Sequence, residues 1–357
     1  MARRSLTSLD EFVEGWRGQE FFVGVDAHAR SYHVALRRPD GAAHTWVAPP
    51  SPTALIGMLR ASGLRIRAIA YEAGPTGFSL AREAQAAGFV AIVAAPSKIP
   101  RAVSRGAKTD RLDCLKLASY AAKGMLRAIA VPSKRQEAQR TLLRRRHQIV
   151  DDLRKVKQRI KSLLLYLGAQ EPDGLAHWSK AAVSALSRLS LEPEAHETLA
   201  SHLRALAFHH AELKSVEARL AMSMEQDHKA VMHSLRSVPG VGAVVASTFC
   251  LEIYRPERFA RAEEIASFLG LAPMVSQSGE GKARGRIRPV GQRRLRSLLI
   301  EAAWVWKSKD AWAQAIYGRV LSHCGVPQKA ITALARRLGV ILWRLCIEKR
   351  PYRLRAA

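Results

Sequence analysis

Apolar and polar residues alternate along F-F-V-G-V-D-A-H (residues 21–28), S-Y-H-V-A-L-R-R (31–38) and H-T-W-V-A (44–48). A period of two predicts three β-strands, and P-D-G at 39–41 supplies a hairpin turn. The period then lengthens to that of a helix over residues 53–61. R-A-I-A-Y-E (67–72) reads as a buried strand, 78–87 as a helix, V-A-I-V-A-A (90–95) as a strand and 109–123 as a helix. Hairpin strands followed by alternating strands and helices predict a mixed α/β sheet.

From residue 134 to 168 the pattern changes. Ile149, Leu153, Val156, Ile160, Leu163 and Leu167 are spaced by alternating fours and threes, a coiled-coil seam. A looser seam follows at Leu199, Leu203, Leu206, Leu213, Leu220 and Met224, after a connection containing Pro and Gly at 171–174. Two such helices pair either as an antiparallel hairpin or with a second protomer. A third region opens at about Ser234, carries S-V-P-G-V-G-A-V-V-A from Ser237 and continues helical through Trp343. The expected division is an α/β domain over 20–130, a helical coiled-coil region over 134–233 and a mainly α domain over 234–350. No internal repeat or low-complexity tract interrupts it.

Composition narrows the function classes. An apolar fraction of 48% in 357 residues excludes wholesale disorder. The 57 Lys and Arg against 30 Asp and Glu leave a formal charge of +27, which repels itself unless a polyanion is near, so nucleic acid is the first candidate partner. Basic residues run through every segment instead of gathering beside one apolar anchor, which argues against a membrane-surface protein. The four cysteines, Cys114, Cys250, Cys324 and Cys346, form no C-x-x-C pair and read as buried thiols. The first 19 residues lack the apolar core of a signal peptide, and no apolar run approaches the roughly 18 residues of a membrane span. The expected location is the cytoplasm of a prokaryote, at the nucleoid. Residues 134–161 hold eleven Lys or Arg and three acids, a strongly positive face that is either simply solvated or tracks nucleic acid.

Four carboxylates stand out against this basic background. Asp26 and Glu72 each interrupt an apolar strand. An unpaired buried carboxylate costs several kcal/mol, so such acids sit at strand ends, in ion pairs or on metal. K-T-D-R-L-D then places Asp110 and Asp113 at i and i+3, on one helix face. Phosphodiester chemistry suits acids gathered in this way, because hard oxygen ligands hold Mg²⁺ (or Mn²⁺) against the scissile phosphate. Taken alone, Asp110 and Asp113 read equally as a helix N-cap and a first-turn dipole partner. Asp26 alone fits a sugar-kinase-type ATPase strand, but no G-x-x-x-x-G-K-[ST] loop accompanies it.

In the C-terminal region, S-V-P-G-V-G-A resembles a helix-hairpin-helix turn in which Gly240 and Gly242 let backbone N–H groups approach a phosphate, although an ordinary helix–helix turn uses glycine too. Between residues 279 and 296 seven Lys or Arg face one acid. Lys282, Arg284, Arg286, Arg288, Arg293 and Arg294 lie on this glycine-rich loop and the helix after it, a nucleic-acid-binding pattern. Ser278 just before it is either a turn serine or, among cations, a nucleophile toward phosphorus.

Taken in order, V-D-A-H, Y-E-A-G, K-T-D-R-L-D, the basic coiled coil, V-P-G-V-G, G-L-A-P followed by Q-S-G, and G-Q-R-R-L-R resemble the insertion-sequence-110 family of transposases from about residue 21 to 344. The resemblance implies an RNase H-like (RuvC-like) N-terminal domain whose DEDD carboxylates fall on Asp26, Glu72, Asp110 and Asp113. It also implies a C-terminal domain whose serine falls on Ser278, with Ser276 as the alternative. Cys114 stands where alanine often follows the second Asp, and Gln292 where asparagine often follows the glycine. By the same resemblance, related elements use a non-coding bridge RNA to choose their DNA, and the serine and carboxylates meet between protomers of a dimer or tetramer. The expectation is a metal-dependent DNA recombinase forming a transient serine–DNA phosphodiester. The competing readings are a RuvC-type junction endonuclease, which needs only the carboxylates, and a non-catalytic nucleic-acid-binding scaffold.

Overall fold

The computed structural model describes residues 9–100, 110–274, 286–287 and 291–354. The chain divides into two compact units, Met1–Ser133 and Lys134–Ala357.

The first unit is built on a five-stranded sheet of β1 (Glu20–Ala27), β2 (Tyr32–Arg37), β3 (Ala43–Ala48), β4 (Arg65–Glu72) and β5 (Ala91–Ala94), in spatial order β3-β2-β1-β4-β5. The three leading strands are antiparallel, and β4 and β5 join parallel to β1. Parallel pairing requires crossovers, which α2 (Pro52–Ala61) and α3 (Ser79–Ala86) provide. Ser51 caps α2 by accepting from the Ala54 N–H at 3.2 Å, and Pro52 starts the helix where its missing donor costs nothing. The helix α1 (Leu9–Val13) precedes the sheet, an element the polar N-terminal pattern did not suggest; Val13 is buried, and Arg38 lies over the rings of Phe12 and Trp16.

Strand alternation sorts the sheet into two faces. Phe21, Val23, Val25, Val34, Leu36, Ile69 and Tyr71 join the side chains of α2 and α3 in one core. The opposite face carries Phe22, Gly24, Ala35 and Ala70, and on it lies α4 (Asp110–Ala122), through Cys114, Leu117, Ala118 and Ala121. Gly24 makes that approach possible: a Cβ there would stand 2.1 Å from the carbonyl oxygen of Cys114 and 2.5 Å from the Ala118 nitrogen. Any side chain at this position would push the helix off the sheet.

Among its described residues the second unit has helices and the short ribbon of β6 (Pro273–Met274) and β7 (Arg286–Ile287). Its longest elements, α5 (Lys134–Tyr166) and α7 (Pro193–Arg236), pack antiparallel within one chain, as the pairs Arg135–Asp227 and Arg146–Glu217 show. Ile149, Leu153, Val156, Ile160 and Leu164 meet Leu199, Leu206 and Val216, together with Ala182 and Leu186 of α6 (Lys180–Leu186), in one core. At the end of α5 the seam differs from the expected pattern. Leu164 is fully buried and Leu163 only partly, while Leu167 lies beyond the helix end, exposed, before Gly168 turns the chain at φ +65°. Leu143, Leu220 and Met224 belong instead to the core of the C-terminal helices α8 (Ala243–Ile253), α9 (Ala262–Phe268), α10 (Arg293–Lys309), α11 (Ala311–Cys324) and α12 (Pro327–Glu348). Two buried polar clusters hold this part. Arg140 pairs with Glu252 at 2.8 Å, and Asp310 accepts from Trp306 Nε1 at 3.1 Å, from Tyr352 Oη at 2.8 Å and from the Ala313 N–H at 2.9 Å. Among the described residues no helix is long and apolar enough to cross a membrane.

Candidate metal centre

Asp26 lies one residue beyond the last registered β1–β4 pair, Val25 with Tyr71, and Glu72 is the corresponding last residue of β4. Both therefore fall on the α4 side of the sheet. On that side α4 begins with Asp110, and Asp113 follows in its first turn, where the helix dipole favours negative charge. The close contact of α4 with Gly24 fixes how far this helix end stands from Asp26. Sequence spacing and sheet alternation thus converge on one edge of the sheet.

The side chains brought together there are Asp26, Asp110 and a histidine the carboxylate pattern did not include. One ligand atom each from Asp26, His28 and Asp110 lie within 4.8 Å of one another. His28 Nε2 stands 3.1 Å from Asp26 Oδ2 and 3.7 Å from Asp110 Oδ1, and His33 Nε2 stands 3.6 Å from Asp110 Oδ2. His33 is paired directly with Asp26 across the β1–β2 ladder, so the strand register delivers it to the same edge. Asp113 Oδ1 instead takes a hydrogen bond from Lys116 Nζ at 3.4 Å. Glu72 is exposed at the end of β4 and is not one of the trio. The signal for His33 was present in the alternation of β2, but it becomes readable only once the register with β1 is known.

Electrostatics mark Asp26 as the inner acid. Its carboxyl is held above the usual aspartate range, first by burial. The charge and hydrogen bond of His28 pull it back down, and the charges of Asp110 and Asp113 push it up. Repulsion among acids at a partly desolvated site is relieved by a cation, and two carboxylate oxygens with an imidazole nitrogen are a donor set that divalent ions accept. The residues present therefore fit a metal. Cys114, next along α4, is no competitor, since burial pushes its thiol up to about 11.

Comparisons with known proteins identify the family. A model for transposases of the DEDD type matches residues 23–167, and one described as "Transposase IS116/IS110/IS902 family" matches residues 232–318. A protein of Sinorhizobium fredii named as a transposase, y4qE, is 31% identical over 307 residues, 78% of this chain and 75% of its own length. The chain belongs to the IS110 family of transposases. Its other relatives include the transposase for insertion sequence element IS1328 of Yersinia enterocolitica, 23% identical over 66% of this chain and 71% of that protein. Another is the pilin gene-inverting protein of Moraxella bovis, 25% identical over 69% and 68%. An IS110-family chain is a DNA-recombining enzyme, and its DEDD domain implies dependence on a divalent metal.

The remaining expected site residues fall in the second unit. Ser276, Ser278, Lys282, Arg284 and Arg288 lie outside the described residues, and Arg286 is described only as part of β7. Arg293 and Arg294 are in the first turn of α10, toward solvent. Gly291, at φ +90°, and Gln292, whose N–H donates to the Phe268 carbonyl at 3.1 Å, dock that helix start against the end of α9. Gly240 and Gly242 differ from one another. Gly240, at φ +84°, has no room for a Cβ, which would meet the Ala302 carbonyl oxygen at 2.5 Å, so its need for glycine is explained by packing on α10. Gly242 is exposed with open space around it at the start of α8.

Proposed function

We propose that this transposase cuts and rejoins insertion-sequence DNA using Asp26, Glu72, Asp110 and Asp113 to hold Mg²⁺ (or Mn²⁺) and Ser278 as the nucleophile. The observation that carries the reading is the meeting of Asp26 and Asp110 at one sheet edge, with a raised Asp26 carboxyl. When bound, the ion supplies Lewis-acid stabilisation of negative charge on the scissile phosphate. The carboxylates hold it there, beside the reacting atoms. Ser278 Oγ forms a bond to phosphorus as the bond from phosphorus to the deoxyribose oxygen breaks, and the serine proton ends on the displaced oxygen. The resulting phosphoserine conserves the diester for rejoining to a second strand.

Gly242, Arg293, Arg294 and the basic loop bearing Lys282, Arg284, Arg286 and Arg288 bind the phosphate backbone, with Gly240 shaping the turn before α8. The outer faces of α5 track a bridge RNA transcribed from the element's flank. The long helices act as a coiled-coil assembly element in a dimer or tetramer, so that a serine of one protomer serves the carboxylates of another. The divisions 20–130, 134–233 and 234–350 are then the catalytic, assembly and serine-bearing parts.

The test incubates purified protein with its element's junction DNA, the flanking RNA and Mg²⁺, followed by denaturing electrophoresis. A protein–DNA adduct lost in Ser278→Ala and in Asp26→Ala but kept in Ser276→Ala is the expected result. Cleavage without an adduct, still lost in Asp26→Ala, would replace this reading by the junction-endonuclease one.

A further inference from the structure

A site of carboxylates alone offers oxygen donors only, and the turn between β1 and β2 departs from that. His28 is set by the backbone, its N–H donating to the Ser31 carbonyl at 3.0 Å as the chain reverses from β1 into β2. Its ring is half exposed, at 49%, so packing does not dictate where it points, yet Nε2 stands between the two aspartates at 3.1 and 3.7 Å. Two ligands at right angles about an ion with bonds of about 2.1 Å lie about 3.0 Å apart, and widening the angle to about 120° separates them by about 3.6 Å. The 3.1 Å contact is a hydrogen bond in its own right, and both distances at His28 also suit atoms sharing one ion, with little movement needed.

We infer that His28 is a direct ligand of the catalytic cation, joining the carboxylates there beside Asp26 and Asp110. The inference rests on the reading of this site as a metal centre and adds a nitrogen donor to it. His33 has a different part. Its Nε2 faces Asp110, at Oδ2, from the neighbouring strand at 3.6 Å, and its ring meets that of His28 edge-on at 6.3 Å. It is a positioning residue that turns the other oxygen of Asp110 toward the ion. An imidazole donor shifts preference from Mg²⁺, which favours oxygen and water, toward Mn²⁺ and Co²⁺.

The experiment loads the full-length, tag-free protein with Mn²⁺ and records electron spin-echo envelope modulation, which detects a nitrogen bound directly to the ion. The wild-type protein is expected to give the coupling of a bound imidazole, His28→Gln to lose it and His33→Gln to keep it. Titration should show Mn²⁺ affinity falling in His28→Gln by at least the roughly 10- to 100-fold that losing an outer partner of a ligand costs, with a much smaller change for Mg²⁺ measured by competition. A wild-type spectrum without nitrogen coupling overturns the inference by itself, and circular dichroism checks that the variants which assign the coupling do fold. Mn²⁺ bound without nitrogen coupling, or coupling that persists in His28→Gln, overturns the inference and leaves the carboxylate site standing. Failure of the wild-type protein to bind Mn²⁺, with strand cleavage indifferent to a chelator, overturns both this inference and the metal reading beneath it.

Discussion

The sheet unit and the helical unit place their polar groups by different means. In the sheet unit backbone geometry does the placing: strand alternation aims Asp26, Glu72 and His33 at one face, and the bare Gly24 sets the distance of α4 with its Asp110. In the helical unit side chains do it, as Asp310 gathers Trp306, Tyr352 and the start of α11, and Arg140 pairs with Glu252 beneath Tyr254. The first arrangement sets Asp26 and Asp110 against histidines and each other, receptive to a cation; the second satisfies its acids internally. An acid in a basic protein therefore signals a ligand site only when its neighbours fail to neutralise it.

Four changes would break or sharpen that contrast. Asp26→Asn should reduce DNA strand cleavage on the order of 1000-fold, the effect of several kcal/mol of lost charge stabilisation, while circular dichroism stays unchanged; near-normal cleavage would show that the inner acid is not part of the chemistry. Gly24→Val should cost about 3 kcal/mol of stability in urea unfolding, as α4 is forced away from the sheet, and should weaken Mn²⁺ binding although no ligand has changed. Asp310→Ala should cost about 2 kcal/mol through a lost cap and a lost acceptor for Trp306 and Tyr352. Its effect should be confined to the unfolding step that reports the second unit, with Mn²⁺ affinity as in the wild type.

The smallest effect concerns pH. His147 on α5 is held down to about 4 from 6.5, first by burial and then by the charges of Arg294 and Arg146, and its Nε2 lacks a hydrogen-bond partner among the described residues. A depressed folded value means that the unfolded chain takes up the proton first. The stability of the second unit is therefore full above about pH 6.5 and declines as pH falls toward about 4. His147→Gln should flatten this decline when urea midpoints are compared at pH 7, 5 and 4, and an unchanged slope would place the acid sensitivity elsewhere.

Much of the sheet unit was legible because its signals are local. The strands announce themselves by alternation, and an acid interrupting an apolar strand, as Asp26 does, needs an explanation before any fold is known. His28 and His33 were not legible as site residues, since their meaning depends on a hairpin register and on a helix that arrives much later in the chain. Gly24 looked like any strand glycine until α4 was seen against it. In the helical unit the heptads foretold the long helices but missed α6, whose seven residues are too short for periodicity, and misplaced the end of the seam, because leucines are adjacent at 163–165 and only the helix end decides which turns inward. Gly240 reads by motif as a phosphate-contacting residue, and its packing against Ala302 was not legible because the two are far apart in sequence.

Asp26 and Asp110 are separated by 84 residues of chain, almost two-thirds of the sheet unit. An unfolded segment of that length seldom brings its ends together, so a cation that grips both ends binds the folded form and scarcely the unfolded one. Such an ion acts as a reversible staple on the fold: at a hundred times its dissociation constant it adds about 2.7 kcal/mol of stability. A cation held at this sheet edge would therefore couple the melting of its own domain to the concentration of divalent ions around it.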